Sequence, residues 1–181
     1  MKIKKLIAMA VMFAGVNNIV YADNTVRFLG EVTDQTCTIQ INGFESYPVV
    51  LLPTVSKSTL TGAGSSAGET PFTVTLSGCD VSATSLSKQA KIRFVSTNIE
   101  GTNLKNIASS SPATNVAIQL LDGTSPLDFT SGDAKTSAKT IGGDDGQSSA
   151  TFDMKARYYS AAGGATAGAV EASAQFAVTY L

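Results

Sequence analysis

Hydrophobic residues recur at every second position in six separate stretches of this chain, and that period constrains its fold more than any other feature. The stretches are Val26, Phe28, Gly30 and Val32; Phe72, Val74 and Leu76; Ile92 and Phe94; Val116, Ile118 and Leu120; Phe152 and Met154; and Phe176, Val178 and Tyr180. A two-residue period puts successive side chains on opposite faces, the pattern of a half-buried β-strand. Between these stretches lie segments dense in Gly, Ser, Ala and Asp, namely Thr61 to Thr70, Ser109 to Thr114, Gly142 to Ser149 and Ala161 to Gly168, which read as turns and loops. No long amphipathic helix is legible. Short strands joined by small-residue loops predict an all-β, immunoglobulin-like sandwich, without the tryptophan of antibody domains because the chain has none.

The chain opens Met1-Lys2-Ile3-Lys4-Lys5, continues as an apolar run from Leu6 to Val20 broken by Asn17-Asn18, and reaches Val20-Tyr21-Ala22 before Asp23. A positive start, a short apolar stretch and small residues near a cleavage point are expected of a secretory signal peptide over residues 1–22. The remainder fits one domain able to bury a core without a metal or cofactor. Residues 23–181 carry 10 basic and 14 acidic residues, a net charge of −4 with no basic cluster, so nucleic acid is not expected as a partner. The chain has two cysteines, Cys37 and Cys79. Export to an oxidising compartment predicts that they pair, closing a loop worth about 4 kcal/mol in the chain-entropy model.

Catalytic chemistry finds little to build on. With no histidine in the chain, neither a Ser-His-Asp triad nor a histidine-bearing zinc site can form. The run Gly62-Ala63-Gly64-Ser65-Ser66-Ala67-Gly68 lacks the spacing and the terminal Lys-Ser/Thr of a phosphate loop and reads as a flexible connection. Asp122, Asp133, Asp144 and Asp145 could supply oxygen ligands to calcium, but no EF-hand spacing links them. Tyr158-Tyr159 could form an aromatic platform for sugars, but on a strand one ring points to each face, which core packing already explains and is the preferred reading. The expectation is no catalytic residue, no metal and no cofactor. A secreted carbohydrate-binding β-sandwich is the alternative from another functional class.

The two ends of the chain carry the functional signal. Residues Asp23 to Asp34 place Asn24, Val26, Phe28, Gly30 and Val32 on one face just ahead of Cys37. At the other end Ala172, Ala174, Phe176, Val178 and Tyr180 alternate, with Gly168 fourteenth from the C-terminus and an aromatic residue next to last. Together with Phe28-Leu29-Gly30-Glu31-Val32, Asp34-Gln35-Thr36-Cys37, Thr70-Pro71-Phe72, Leu76-Ser77-Gly78-Cys79, Tyr158-Tyr159 and Ala165-Thr166-Ala167-Gly168, these residues make the chain resemble the major-subunit pilins of chaperone–usher fimbriae, the type 1 family and its F17-like branch.

The resemblance implies an incomplete immunoglobulin-like β-sandwich lacking its seventh strand and completed by donor-strand exchange. It divides the chain into a signal peptide (1–22), an N-terminal donor-strand extension (23–36) and a pilin domain (37–181). Asn24, Val26, Phe28, Gly30 and Val32 would form the donor strand; Gly168, Phe176, Val178 and Tyr180 would belong to the strand beside the groove that receives chaperone or neighbour. The implied partners are identical pilin subunits in a homopolymer, a periplasmic chaperone, an outer-membrane usher and a tip adhesin subunit. The implied destination, reached through the periplasm, is an extracellular fimbrium on the cell surface that supports adhesion. A minor or adaptor subunit is the alternative within the same family.

Overall fold

The computed structural model describes residues 37–79, 89–143 and 148–181. Its strands in chain order are β1 (Thr38–Ile41), β2 (Ser65–Cys79), β3 (Gln89–Val95), β4 (Ile99–Glu100), β5 (Asn103–Lys105), β6 (Ala117–Asp122), β7 (Ser125–Pro126), β8 (Asp133–Lys135), β9 (Lys139–Thr140), β10 (Ser148–Ser160) and β11 (Gln175–Tyr180). A 3-10 turn, Lys57–Leu60, is capped by the Ser56 hydroxyl, which accepts from the amide of Ser58. The strands form two sheets. One runs β1-β2-β10-β6-β5-β4 with β7 beside β6; the other runs β11-β3-β8 with β9 also on β3. Every named strand pair is antiparallel.

The all-β sandwich expected from the alternation is what forms. Phe72, Val74 and Leu76 of β2 and Phe152 and Met154 of β10 face Ile92 and Phe94 of β3 across a core that also takes in Phe129 and Ile141. Two packed sheets burying one face of each strand are a stable way to remove this much apolar surface from water. β6 differs because all of Ala117 to Leu121 is buried. Its outer face is covered by polar side chains: Arg157 donates from Nε and Nη2 to Gln119 Oε1 at 2.9 and 2.6 Å, and Gln119 Nε2 donates to Asn103 Oδ1 at 3.0 Å. Buried amides tolerate such a site only when their hydrogen bonds are made.

Cys37 and Cys79 form the expected disulfide, tying the residue before β1 to the last residue of β2. β2 starts at Ser65, inside the stretch expected to be loop. The reason is a bulge: the register slips between Ala156↔Thr70 and Tyr158↔Ala67, and Gly68 at φ +66° absorbs the extra residue. Likewise β10 begins at Ser148, within a second stretch read as loop, where Gly142 and Ser149 exchange two backbone hydrogen bonds. Asp133 forms an ion pair with Arg93, and Asp122 accepts from the amide and hydroxyl of Ser137. Asp144 and Asp145 lie outside the described residues.

Candidate strand-acceptor groove

The sandwich is open along one side. β11 hydrogen-bonds to β3 from Gln175↔Val95 to Tyr180↔Ala90, and among the described residues no strand lies on its other edge. Phe176, Val178 and Tyr180 reach the core yet are only half buried, as the side chains of a sheet's last strand are when nothing covers them. N-terminal to β11 the burial alternation continues through Val170, Ala172 and Ala174. There the backbone leans on the connection between β5 and β6: Ile107 donates to the Glu171 carbonyl, Ala113 to that of Ala169, and Ala169 to that of Ser111. Asn106 reinforces the contact, its side-chain amide donating to the Ala113 and Ala169 carbonyls and its oxygen accepting from Glu171. The segment leading into β11 is thus held against the connection between β5 and β6, and β11 itself pairs with β3.

The facing wall is the segment Pro48 to Leu52, which follows β1. Val50 and Leu52 turn toward the core while Val49 and Leu51 turn to solvent. No backbone hydrogen bond joins this segment to residues 170–176. Between the two walls runs an apolar groove of about 510 Å³, floored by Phe72, Phe94, Leu104, Ile118, Leu120 and Tyr158. A second hollow of about 260 Å³ shares Tyr158 and Val170 with it and is bounded by Val55, Leu60, Ala113 and Gly168. Burial pushes the Tyr158 phenol up from its usual value, consistent with an aromatic floor between the two hollows.

Of the site residues read from sequence, Phe176, Val178 and Tyr180 lie on β11, and Phe176 lines the groove. Gly168 lies seven residues before β11, in the wall of the second hollow. A β-carbon there would stand 2.4 Å from the Ala113 nitrogen and 2.6 Å from the Ser111 oxygen, so this glycine lets two backbones meet. Asn24, Val26, Phe28, Gly30 and Val32 lie outside the described residues. Sequence reasoning missed the wall Pro48 to Leu52. Its signal was an apolar run bracketed by Pro48 and Pro53, which shows no alternation because both faces are apolar. Tyr158, read as core, does pack against the core, and it also floors both hollows; Tyr159 beside it is half buried.

An apolar groove beside a sheet edge can accept an extended segment, with backbone hydrogen bonds along the edge and alternate side chains in the groove. The model of the family described as fimbrial protein matches residues 26–181. The chain is 39% identical to the major fimbrial subunit SMF-1 of Stenotrophomonas maltophilia, over 88% of this chain and 93% of that one. It is 36% identical to the F17 fimbrial protein of Escherichia coli, over 87% of each. Its fold is that of the P pilus rod subunit PapA, with a TM-score of 0.60 at 22% identity, covering 80% of this chain and 99% of that structure. The chain thus belongs to the fimbrial protein family and is a structural pilin, a subunit that polymerises into chaperone–usher fimbriae at the cell surface.

Proposed function

We propose that the groove is filled in trans by the segment Asp23 to Thr36 of another copy, and that repetition of this joint makes the fibre. The observation that carries the reading is the open groove itself, whose apolar floor and two unlinked walls suit an added strand. The donor's period-two face fits such a seat. Val26, Phe28 and Val32 enter the groove, and Gly30 sits where the donor passes closest to the acceptor backbone. Burial of one Phe and two Val side chains contributes on the order of 5–8 kcal/mol before ordering costs. Before assembly, a strand from a periplasmic chaperone occupies the same groove beside Phe176, Val178 and Tyr180, with Gly168 at the groove's end. Exchange for the next subunit's segment follows at an outer-membrane usher, and the fibre carries a tip adhesin subunit. Export through the periplasm, with residues 1–22 as the signal peptide, belongs to the same reading.

Replacing Gly30 by Leu tests the donor role. Polymerisation is expected to slow severely or stop while the subunit still co-purifies with its chaperone, because the variant changes the donor and leaves the groove intact. Fibres of normal length and yield from Gly30→Leu cells would overturn the assignment.

A further inference from the structure

The fold brings together cations that the sequence keeps apart. In β3 the buried residues are Ala90, Ile92 and Phe94, so Lys91, Arg93 and Val95 point out of the sandwich. The register puts Thr179 beside Lys91, and Ala177 and Lys135 on either side of Arg93. Lys91, Arg93 and Lys135 therefore share the outer face of the smaller sheet, and among the described residues Asp133 is the acid on that face. On β10, by contrast, Lys155 and Arg157 are both neutralised by Glu69. Here Arg93 pairs with Asp133, while Lys91 and Lys135 have no acidic partner among the described residues. Arg93 and Lys135 stand directly opposite each other, an arrangement of like charges that destabilises a strand pair. An anion laid across the face would relieve that repulsion.

We infer that the outer face of β11-β3-β8 binds linear acidic polysaccharides, sulfated or carboxylated, along the assembled fibre. Charge complementarity is the first argument. Lys91, Arg93 and Lys135 against Asp133 leave the face at +2, although residues 23–181 together carry −4. Lys91 and Arg93 lie ~6.6 Å apart along their strand. Arg93 and Lys135 lie ~5 Å apart across the pair. Both spacings fall inside the ~8 Å screening length at physiological salt, so the charges act together. Surface chemistry is the second argument. Phe94, Phe176 and Tyr180 turn toward the core, so no aromatic ring of these strands stands on the outer face for a nucleobase to stack on. Repetition is the third. Two net charges hold a polyanion weakly, but a fibre presents the face once per subunit, and simultaneous engagement raises avidity by ~10²–10⁴. Repetition selects a long chain over a small anion. A strand added at the free edge of β11 continues the sheet in its own plane and leaves this face open. The inference needs the fibre, whichever joint builds it.

Intact fimbriae passed over immobilised heparin at physiological salt test it. Parent fimbriae are expected to be retained and to elute as salt rises. Lys135→Glu puts a carboxylate opposite Arg93, brings the face to zero net charge and is expected to weaken binding by ~100-fold, the scale of the avidity lost. Lys105→Glu, on β5, changes the net charge equally and is expected to bind as the parent does. Lys91→Gln removes a cation from the same face without touching the Arg93 and Lys135 pair, and a partial loss is expected from it even if Lys135→Glu yields no fibres. No retention of parent fimbriae, equal losses from Lys105→Glu and Lys135→Glu, or undiminished binding by Lys91→Gln would each overturn the inference. So would capture of parent fimbriae by duplex DNA or by phosphatidylserine vesicles but not by heparin. Fibre yield, measured on the same cells, reports subunit joining separately, so the two readings stand or fall apart.

Discussion

Gly168 and Gly68 show how single positions shape the groove. At Gly168 a β-carbon would meet the Ala113 nitrogen at 2.4 Å and the Ser111 oxygen at 2.6 Å, both backbone atoms held by the hydrogen bonds linking Ser111 and Ala113 to Ala169. Backbone cannot swing aside as a flexible side chain can, so Gly168→Ala must displace the end of the groove wall. It is expected to destabilise the fold by about 1–3 kcal/mol, as other overpacking changes do. At Gly62 no atom lies within 4 Å of such a β-carbon, so Gly62→Ala should change stability little. Urea unfolding of both variants checks the contrast, and equal midpoints would show that the close approach at Gly168 does not constrain the fold. Gly68 has a different task. At φ +66° it forms the β2 bulge, and its hydrogen leaves room for the Tyr158 ring, 2.9 Å from where a β-carbon would stand.

At the scale of elements, a polar ladder crosses the sheet that carries β2, β10 and β6. Lys155 donates to Glu69 Oε1 at 2.6 Å, and Arg157 bridges Glu69 and Gln119. The hydrogen bond from Lys155 holds the Glu69 carboxyl below its usual value of 4.5, with charge attraction from Lys155 and Arg157 adding to it. Because the folded-state value is depressed, this stabilisation is present above pH 4.5 and is lost as pH falls through the folded-state value. Glu69→Gln should therefore lower the melting temperature slightly at neutral pH, with the difference vanishing in acid. A gap between variant and parent that persists unchanged below the folded-state value would mean that the ion pairs are not its source.

Legibility follows the same physics. β2, β3, β10 and β11 could be read because each buries one face, which writes period two into the sequence. β6 was read too, from Val116, Ile118 and Leu120, but as a half-buried strand; its second buried face was not legible because the burial of Gln119 depends on partners distant in sequence. β4, β5, β7, β8 and β9 span two or three residues, too few to carry a period. The β11 side of the groove was legible in Phe176, Val178 and Tyr180. The wall Pro48 to Leu52 was not, since it makes no strand pairing and borders solvent on one side and the groove on the other.

For the whole molecule, two sheets pack around a core that is open between β11 and Pro48 to Leu52. The disulfide from Cys37 to Cys79 anchors the start of β1, an edge strand whose Ile41 lines the groove, to the end of β2. Exposed apolar edges are ordinarily a hazard, because they invite pairing with any extended chain. Under the proposed strand exchange the same property becomes the joint. Thermal unfolding of a chain that begins at Cys37, with and without a synthetic peptide spanning Asp23 to Thr36, measures that joint directly. Peptide at a hundredfold excess over its dissociation constant should add about 2.7 kcal/mol of stability. For a domain of this size that is a rise in melting temperature on the order of 10 °C. A chain that melts at the same high temperature with or without peptide would be complete by itself, and the groove would then not be the joint between subunits.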